Sequence, residues 1–174
     1  LMGQGERPPL PARDWSAAQS FKTLAASQEK FQLMVSAAAP QPEGARPNDQ
    51  VDYTIAFSAT QAASSVEITA TVPPEVQAVL PKTLSGGGKH KDGVITWKLG
   101  GTQQATLTFS TRVRGAGVVP PTTLFVSSLV RAVAVISGES TEKTADASLP
   151  YLKPQFALSL SPSAETVAPG ERLD

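Results

Sequence analysis

The chain has 174 residues, of which 40% are hydrophobic, with fifteen positive side chains, fifteen negative ones and no cysteine. That is length enough for one domain of about 100–150 residues plus extra segments. The charge balance gives no global field toward nucleic acid or an anionic membrane, and the missing cysteines exclude a disulfide framework and thiolate metal sites.

No apolar run approaches the roughly 18–20 residues of a membrane span. The opening Leu1-Met2-Gly3-Gln4-Gly5 lacks a basic start followed by an apolar stretch, so a signal peptide is expected to have been removed or never present. Alanine, serine, threonine, valine and proline dominate, the palette of a soluble all-β domain with proline-stiffened loops.

Residues 1–13 are rich in proline and glycine and read as a linker. Asp14 can cap a helix or docked segment running through Trp15 to about Lys30, with Ala17, Phe21, Leu24 and Ala25 on one side; the alternative is a half-ordered linker that tolerates helix. Phe31 to Ala37 is a first short strand, followed by a loop saturated with turn residues between Pro40 and Asp49. Val51, Tyr53, Ile55 and Phe57 alternate with Asp52, Thr54, Ala56 and Ser58, a second strand; Val66, Ile68, Ala70 and Val72 mark a third, ended by Pro73-Pro74. Val76 to Leu80 is a minor strand or turn, and Ser85 to Gly93 an exposed loop.

The segment 92–114 carries the strongest pattern. Ile95, Trp97 and Leu99 alternate with Thr96 and Lys98, then Ala105, Leu107, Phe109, Thr111 and Val113 alternate with polar residues. The Leu99-Gly100-Gly101-Thr102 break has the freedom of a tight hairpin, and Trp97 is expected to fill space between two sheets. Residues 124–137 are apolar in both alternating sets: Leu124, Val126, Val130, Ala132, Ala134 and Ile136 against Phe125, Leu129, Val133 and Val135. Such a strand calls for cover on both faces or for a bulge that switches its inward side; cover is the expectation, with the Trp15–Leu24 segment or a neighbouring domain as its source. Glu139 to Lys143 reads as a polar turn and Thr144 to Leu149 as the last short strand.

Residues 156–174 echo residues 31–52. Phe156 and Leu158 match Phe31 and Leu33, and Pro169-Gly170-Glu171 with Leu173-Asp174 match Pro47-Asn48-Asp49 with Val51-Asp52. The chain thus holds one complete unit and the start of a second. In order it carries an initial strand, a turn, VDYTIAFS, VEITATVPP, GVITWKLG and ATLTFSTRVR. This series resembles the conserved-repeat family of prokaryotic surface proteins, a domain of unknown function (number eleven), over about residues 31–150. The resemblance implies a tandem, immunoglobulin-like Greek-key sandwich with an exported structural role, and offers no catalytic residues.

Residue by residue, chemistry is thin. His90 stands alone between two lysines, without the partners that a triad or zinc site needs. Gly86-Gly87-Gly88-Lys89 lacks the ending of a phosphate loop and reads as a flexible hairpin tip. Glu43, Asp49 and Asp52, with Glu171 and Asp174, lack the alternating oxygen series that calcium wants. Lys98, Arg112 and Arg114 form a small basic strip without interleaved aromatics, read as solvated strand charges.

The expected organisation is all-β: a linker and helical or docked segment over 1–30, an immunoglobulin-like Greek-key sandwich over 31–150, and a connector with an extension strand over 151–174. The expected function is a non-enzymatic structural repeat of a cell-surface stalk, sheath or filament, assembling head to tail through its terminal segments by strand addition. The candidate assembly residues are Trp15, Phe21, Leu24, Phe125, Leu129, Val133, Val135, Phe156, Leu158 and Leu160. The expected partners are copies of itself, neighbouring repeats or cell-wall polysaccharide, with no nucleic acid, membrane span or cofactor, at an extracellular or cell-surface location. The rival reading is an adhesin or carbohydrate-binding module acting through loops at one end of the sandwich; the loops near Pro40, Gly87 and Pro120 lack the aromatics it would need.

Overall fold

Two strands of unusual length carry the architecture. In a computed structural model of the chain, which describes residues 29–155, β2 runs Gln50–Thr71 and β5 runs Val94–Val113. They pair antiparallel from Gln50 opposite Arg112 to Thr71 opposite Val94, with a register shift between Ser58 and Ala63. Extra residues in one strand of a pair bend it and sharpen its twist. Here the whole ribbon folds over at that point, so that Trp97 in the first half of β5 sits 5.9 Å from Phe109 in the second half, ring to ring.

The glycines at 100–101 therefore do not close a hairpin. Residues 95–99 and 105–112 each pair with β2 and not with one another. Gly101 takes φ 60° at the bend, a conformation glycine adopts without steric penalty. Likewise 51–57 and 66–71, expected as two strands, are one continuous β2.

Folding the ribbon over makes two layers. One holds β1 (Phe31–Ala38), the first half of β2, the second half of β5 and the short β3 (Gln77–Val79). The other holds β4 (Lys89–Lys91), the first half of β5, the second half of β2, β6 (Phe125–Ile136) and β7 (Glu139–Pro150). All strand pairings are antiparallel. Strand β7 is longer than expected: the turn is Ser137-Gly138, both at positive φ, and Glu139 to Lys143 already pair with β6.

The inward rows meet between the layers. Tyr53, Phe57, Phe109, Ile55, Ile68, Ile95 and Trp97 are buried there, and each such side chain contributes about 1.5–3 kcal/mol relative to exposure. Tyr53 stacks on Phe109 at 4.8 Å, their cross-strand partnership putting both rings on one face. Along one flank β1 lies beside β7 without pairing. Lys143 partly closes this flank from β7, its Nζ 3.0 Å from Glu29 and 5.7 Å over the Phe31 ring, while Lys30 meets Glu139.

The strand directions define two poles. At the bend pole lie the β2 and β5 kinks, the Ser137-Gly138 turn and the start of β1; Gln103 Nε2 donates to the Thr60 carbonyl and Ser137 Oγ to Gln61 Oε1. At the other, the exit pole, lie the end of β1, the 40–48 loop, the 115–124 loop and the end of β7. The chain enters this domain at the bend pole and leaves it at the exit pole. The proposed helix or docked segment over 14–30 lies, except for its last two residues, outside the described residues.

Candidate assembly surface

The exit pole is built from three backbone segments tied together. Ala45 N donates to the Pro150 carbonyl at 2.9 Å, Leu152 N to the Ala45 carbonyl at 2.9 Å, and Tyr151 N to the Leu124 carbonyl at 2.8 Å. Gly44, at φ 149°, lets the loop pass so close to Pro150 that a Cβ there would overlap the Pro150 carbonyl. Tyr151 is buried, and burial raises its phenol above the ordinary tyrosine range. The domain thus extends past the expected boundary at residue 150, because Tyr151 and Leu152 belong to its hydrogen-bonded frame.

Around this frame exposed apolar side chains stand among Glu43, Arg46, Asn48 and Lys153. Val118 is 61% exposed, Leu124 65% and Phe125 56%, and Pro120, Pro121 and Pro154 line a hollow beside Tyr151. Single exposed apolar residues are ordinary, but Val118 and Leu124 both belong to the 115–124 loop at one pole, which makes that pole the candidate contact surface. Lys153 donates from Nζ to the Pro121 carbonyl at 2.6 Å.

Strand β6 places the predicted residues in one row. Val126, Ser128, Val130, Ala132, Ala134 and Ile136 point inward and are buried, whereas Phe125, Leu129, Val133 and Val135 share the outer face. The cover expected on that face is not supplied by the described residues, and Leu129 remains 53% exposed. Polar ladders interrupt the row: Lys98 lies 3.5 Å from Glu67, and Arg131 grips Glu142 through two hydrogen bonds of 2.5 and 2.6 Å. The paired guanidinium holds the Glu142 carboxyl below its ordinary range, but exposed pairs of this kind add little stability. Trp15, Phe21, Leu24, Phe156, Leu158 and Leu160 lie outside the described residues.

The triple glycine has a packing role that its resemblance to a flexible tip conceals. Gly86, at φ 59°, sits over Leu107, and Gly88 lies against the Trp97 indole, so closely that a Cβ at either would overlap those side chains. Trp97 Nε1 donates to the Ser85 carbonyl at 2.8 Å, and Ser85 exchanges hydrogen bonds with Thr108. The loop is therefore a lid on the core edge.

His90 is exposed on β4, and among the described residues no three His, Cys, Asp or Glu side chains converge as metal ligands. Asp49 accepts from Arg46 N, and Asp52 from Gln50 and Ser110, which uses these carboxylates inside their own turn and strand. The basic strip is split by the bend in β5. Lys98 faces out from one layer and Arg112 from the other, with Arg112 reaching the Asn48 carbonyl and Arg114 the Pro74 carbonyl.

One buried polar cluster joins the layers, and sequence pattern gives no sign of it. Gln77 Oε1 accepts from Tyr53 Oη at 2.9 Å and from Thr111 Oγ1 at 2.6 Å, while its Nε2 donates to the Ser127 carbonyl on β6 at 3.0 Å. Burial pushes the Tyr53 phenol up to about 12. Because the folded value lies above the unfolded one, the neutral phenol's contribution is complete below about pH 10 and is lost as pH rises through about 12. Urea unfolding across that range should show a decline that Tyr53→Phe flattens more than Tyr151→Phe does; identical alkaline slopes in the parent and Tyr53→Phe would overturn the assignment.

No family model matches the chain, and no curated protein matches it in sequence. Solved structures resemble it in shape. ACE19, the collagen binding subdomain of the Enterococcus faecalis surface protein ACE, is 9% identical with a TM-score of 0.47, over 68% of this chain and 94% of that one. A collagen-binding domain from a Staphylococcus aureus adhesin is 11% identical with a TM-score of 0.42, over 66% and 95%. Self-complemented MyfA, the major subunit of Myf fimbriae from Yersinia enterocolitica, is 12% identical with a TM-score of 0.43, over 71% and 99%. Identities this low give no residue correspondence to transfer.

Proposed function

We propose that the chain is a structural repeat module of an exported cell-surface stalk, sheath or filament, joined head to tail to further copies. The observation that carries this reading is the separation of the chain's two crossings: it enters the domain at the bend pole and leaves at the exit pole. Modules of that kind add length with every copy, whereas domains with adjacent ends cluster. The echo of residues 31–52 in residues 156–174 supplies the next copy's beginning. One layer groups β1 with the first half of β2 and the second half of β5; the other groups the second half of β2 with β6 and β7. These groupings parallel the A-B-E and C-F-G sets of an immunoglobulin-like sandwich, the architecture that stalk-forming repeats of this kind require.

The finer form of the reading is assembly by strand addition. The edges of β1 and β7 carry no backbone partner among the described residues along most of their length, and their inward residues Leu33, Val35, Ala145 and Leu149 are only half-buried. A strand from a neighbour, alternating Phe156, Leu158 and Leu160, would satisfy both the edge and the apolar row. Light scattering and negative-stain microscopy of the full chain should then reveal head-to-tail polymers. Deleting residues 156–174 should abolish them while the far-ultraviolet dichroism and unfolding midpoint stay unchanged. Tyr151 to Gln155 must be kept, since Tyr151 and Leu152 hold the exit pole together. Polymers indifferent to the deletion would sink strand addition.

A further inference from the structure

We infer that the exit pole is the seat of the next repeat, a fixed joint in which Val118 and Leu124 pack against the bend pole of the following copy in the same chain. This inference rests on the repeat reading above and adds the contact surface and its stiffness. The sequence echo aligns Phe156 with Phe31, the first residue of β1, so the connection from the end of β7 to the next first strand is Tyr151-Leu152-Lys153-Pro154-Gln155. Two of these five are already fixed to their own domain, Tyr151 to Leu124 and Leu152 to Ala45. Only Lys153, Pro154 and Gln155 remain to bridge the two bodies, four Cα steps from Leu152 to Phe156 and a reach of about 13–14 Å when fully extended. Pro154 fixes its own φ and restricts Lys153 before it, and the Lys153 side chain is drawn back onto Pro121. Three such residues cannot hold two domains apart.

The surfaces that this tether presses together differ in the way a head-to-tail contact requires. The exit pole offers Val118 and Leu124, two of the most exposed large apolar side chains among the described residues. The bend pole offers small and polar residues, Gln61, Ala62, Gly101, Gln103 and Gly138, whose side chains hydrogen-bond within the pole where they are long. Apolar side chains at one end meeting small and polar residues at the other make a heterologous contact, which repeats along a line and does not close on itself. The connection makes the second surface effectively concentrated at the first, so even a small apolar contact is populated.

The chain itself permits a direct test, because Asp174 aligns with Asp52: appending residues 53–155 after Asp174 completes a second copy. The protein has no cysteine, so Thr144→Cys in both copies, a solvent-facing position on β7, accepts nitroxide labels without background. Electron–electron distance measurements should give one narrow distribution, and Val118→Ser with Leu124→Ser in the first copy should broaden it roughly two- to threefold, as expected when a joint becomes a free linker. Unfolding curves of the same proteins separate the possible failures. A second copy that folds but gives a broad distribution in the parent, or a narrow one that survives both serine substitutions, overturns the joint and leaves the repeat reading standing. A second copy that never acquires a cooperative transition overturns both.

Discussion

Trp97→Ala is expected to remove most of the domain's stability. The indole is fully buried between the layers, tilted against Phe109 at 5.9 Å, and its Nε1 holds the Ser85 carbonyl at 2.8 Å. Truncating a buried aromatic of this size costs about 3–5 kcal/mol, against a total stability of about 5–15 kcal/mol for a domain of this kind. The loss should exceed that of other core truncations, because the indole also anchors the 85–88 lid over Leu107. Trp97→Phe separates the two contributions. It keeps most of the apolar contact and loses the hydrogen bond, so its cost should be about 1–2 kcal/mol, with faster amide exchange confined to the lid and the Thr108 region. Urea unfolding followed by far-ultraviolet dichroism reads both variants without interference from Trp15, the chain's other indole. A Trp97→Ala midpoint within experimental error of the parent would mean that the indole is not the centre of the core.

Trp97 also marks how far the sequence can be read. Its inward direction follows from period-two alternation alone, as do the buried rows of β2 and β5, because a strand with one dry face must write that face into every second residue. The fold-over of the ribbon does not follow. Leu99-Gly100-Gly101-Thr102 has the same local chemistry whether it closes a hairpin or bends a long strand. What decides is a distant partner, Ala63 opposite Thr102 and Ser65 opposite Gly100, and no local window contains that information.

The first half of β7 escapes notice for a different reason. Thr141 and Lys143 occupy its inward positions, since the flank beside β1 is only partly closed and a lysine stem can lie along Phe31 with its ammonium at the surface. Polar residues at inward edge positions look like a turn. The candidate assembly residues divide along the same line. Phe125, Leu129, Val133 and Val135 do share one outward row, as the doubly apolar pattern of 124–137 requires. The exit-pole surface around Val118 and Leu124 goes unseen in sequence because it is assembled from three separated loops, and only the backbone ties among Ala45, Leu124, Pro150 and Tyr151 bring them together.

Gln77→Leu should cost nearly as much as the loss of the indole, although it places an apolar side chain of similar volume in an apolar site. The substitution leaves three partners behind: the Tyr53 hydroxyl, the Thr111 hydroxyl and the Ser127 carbonyl, drawn from β2, β5 and β6. Each buried group without a partner costs about 1–3 kcal/mol, whereas replacing both members of a pair by apolar groups is close to neutral. The expected loss is therefore about 3–5 kcal/mol for Gln77→Leu alone. Adding Tyr53→Phe and Thr111→Val should return much of it, because two of the three abandoned groups are then gone. The sign of that recovery separates a hydrogen-bond hub from a space-filling residue: if Gln77 only filled space, the two further truncations would add their own losses. The cluster also fixes how the layers sit. Gln77 reaches from the edge strand β3 across to β6, and an amide held at three points permits one offset between the sheets where apolar packing alone tolerates several. A Gln77→Leu domain that stays folded should accordingly lose near-ultraviolet dichroism from Tyr53 and Trp97 before it loses backbone signal; retention of both signals with a cost under about 1 kcal/mol would show that the layers are registered by the apolar rows alone.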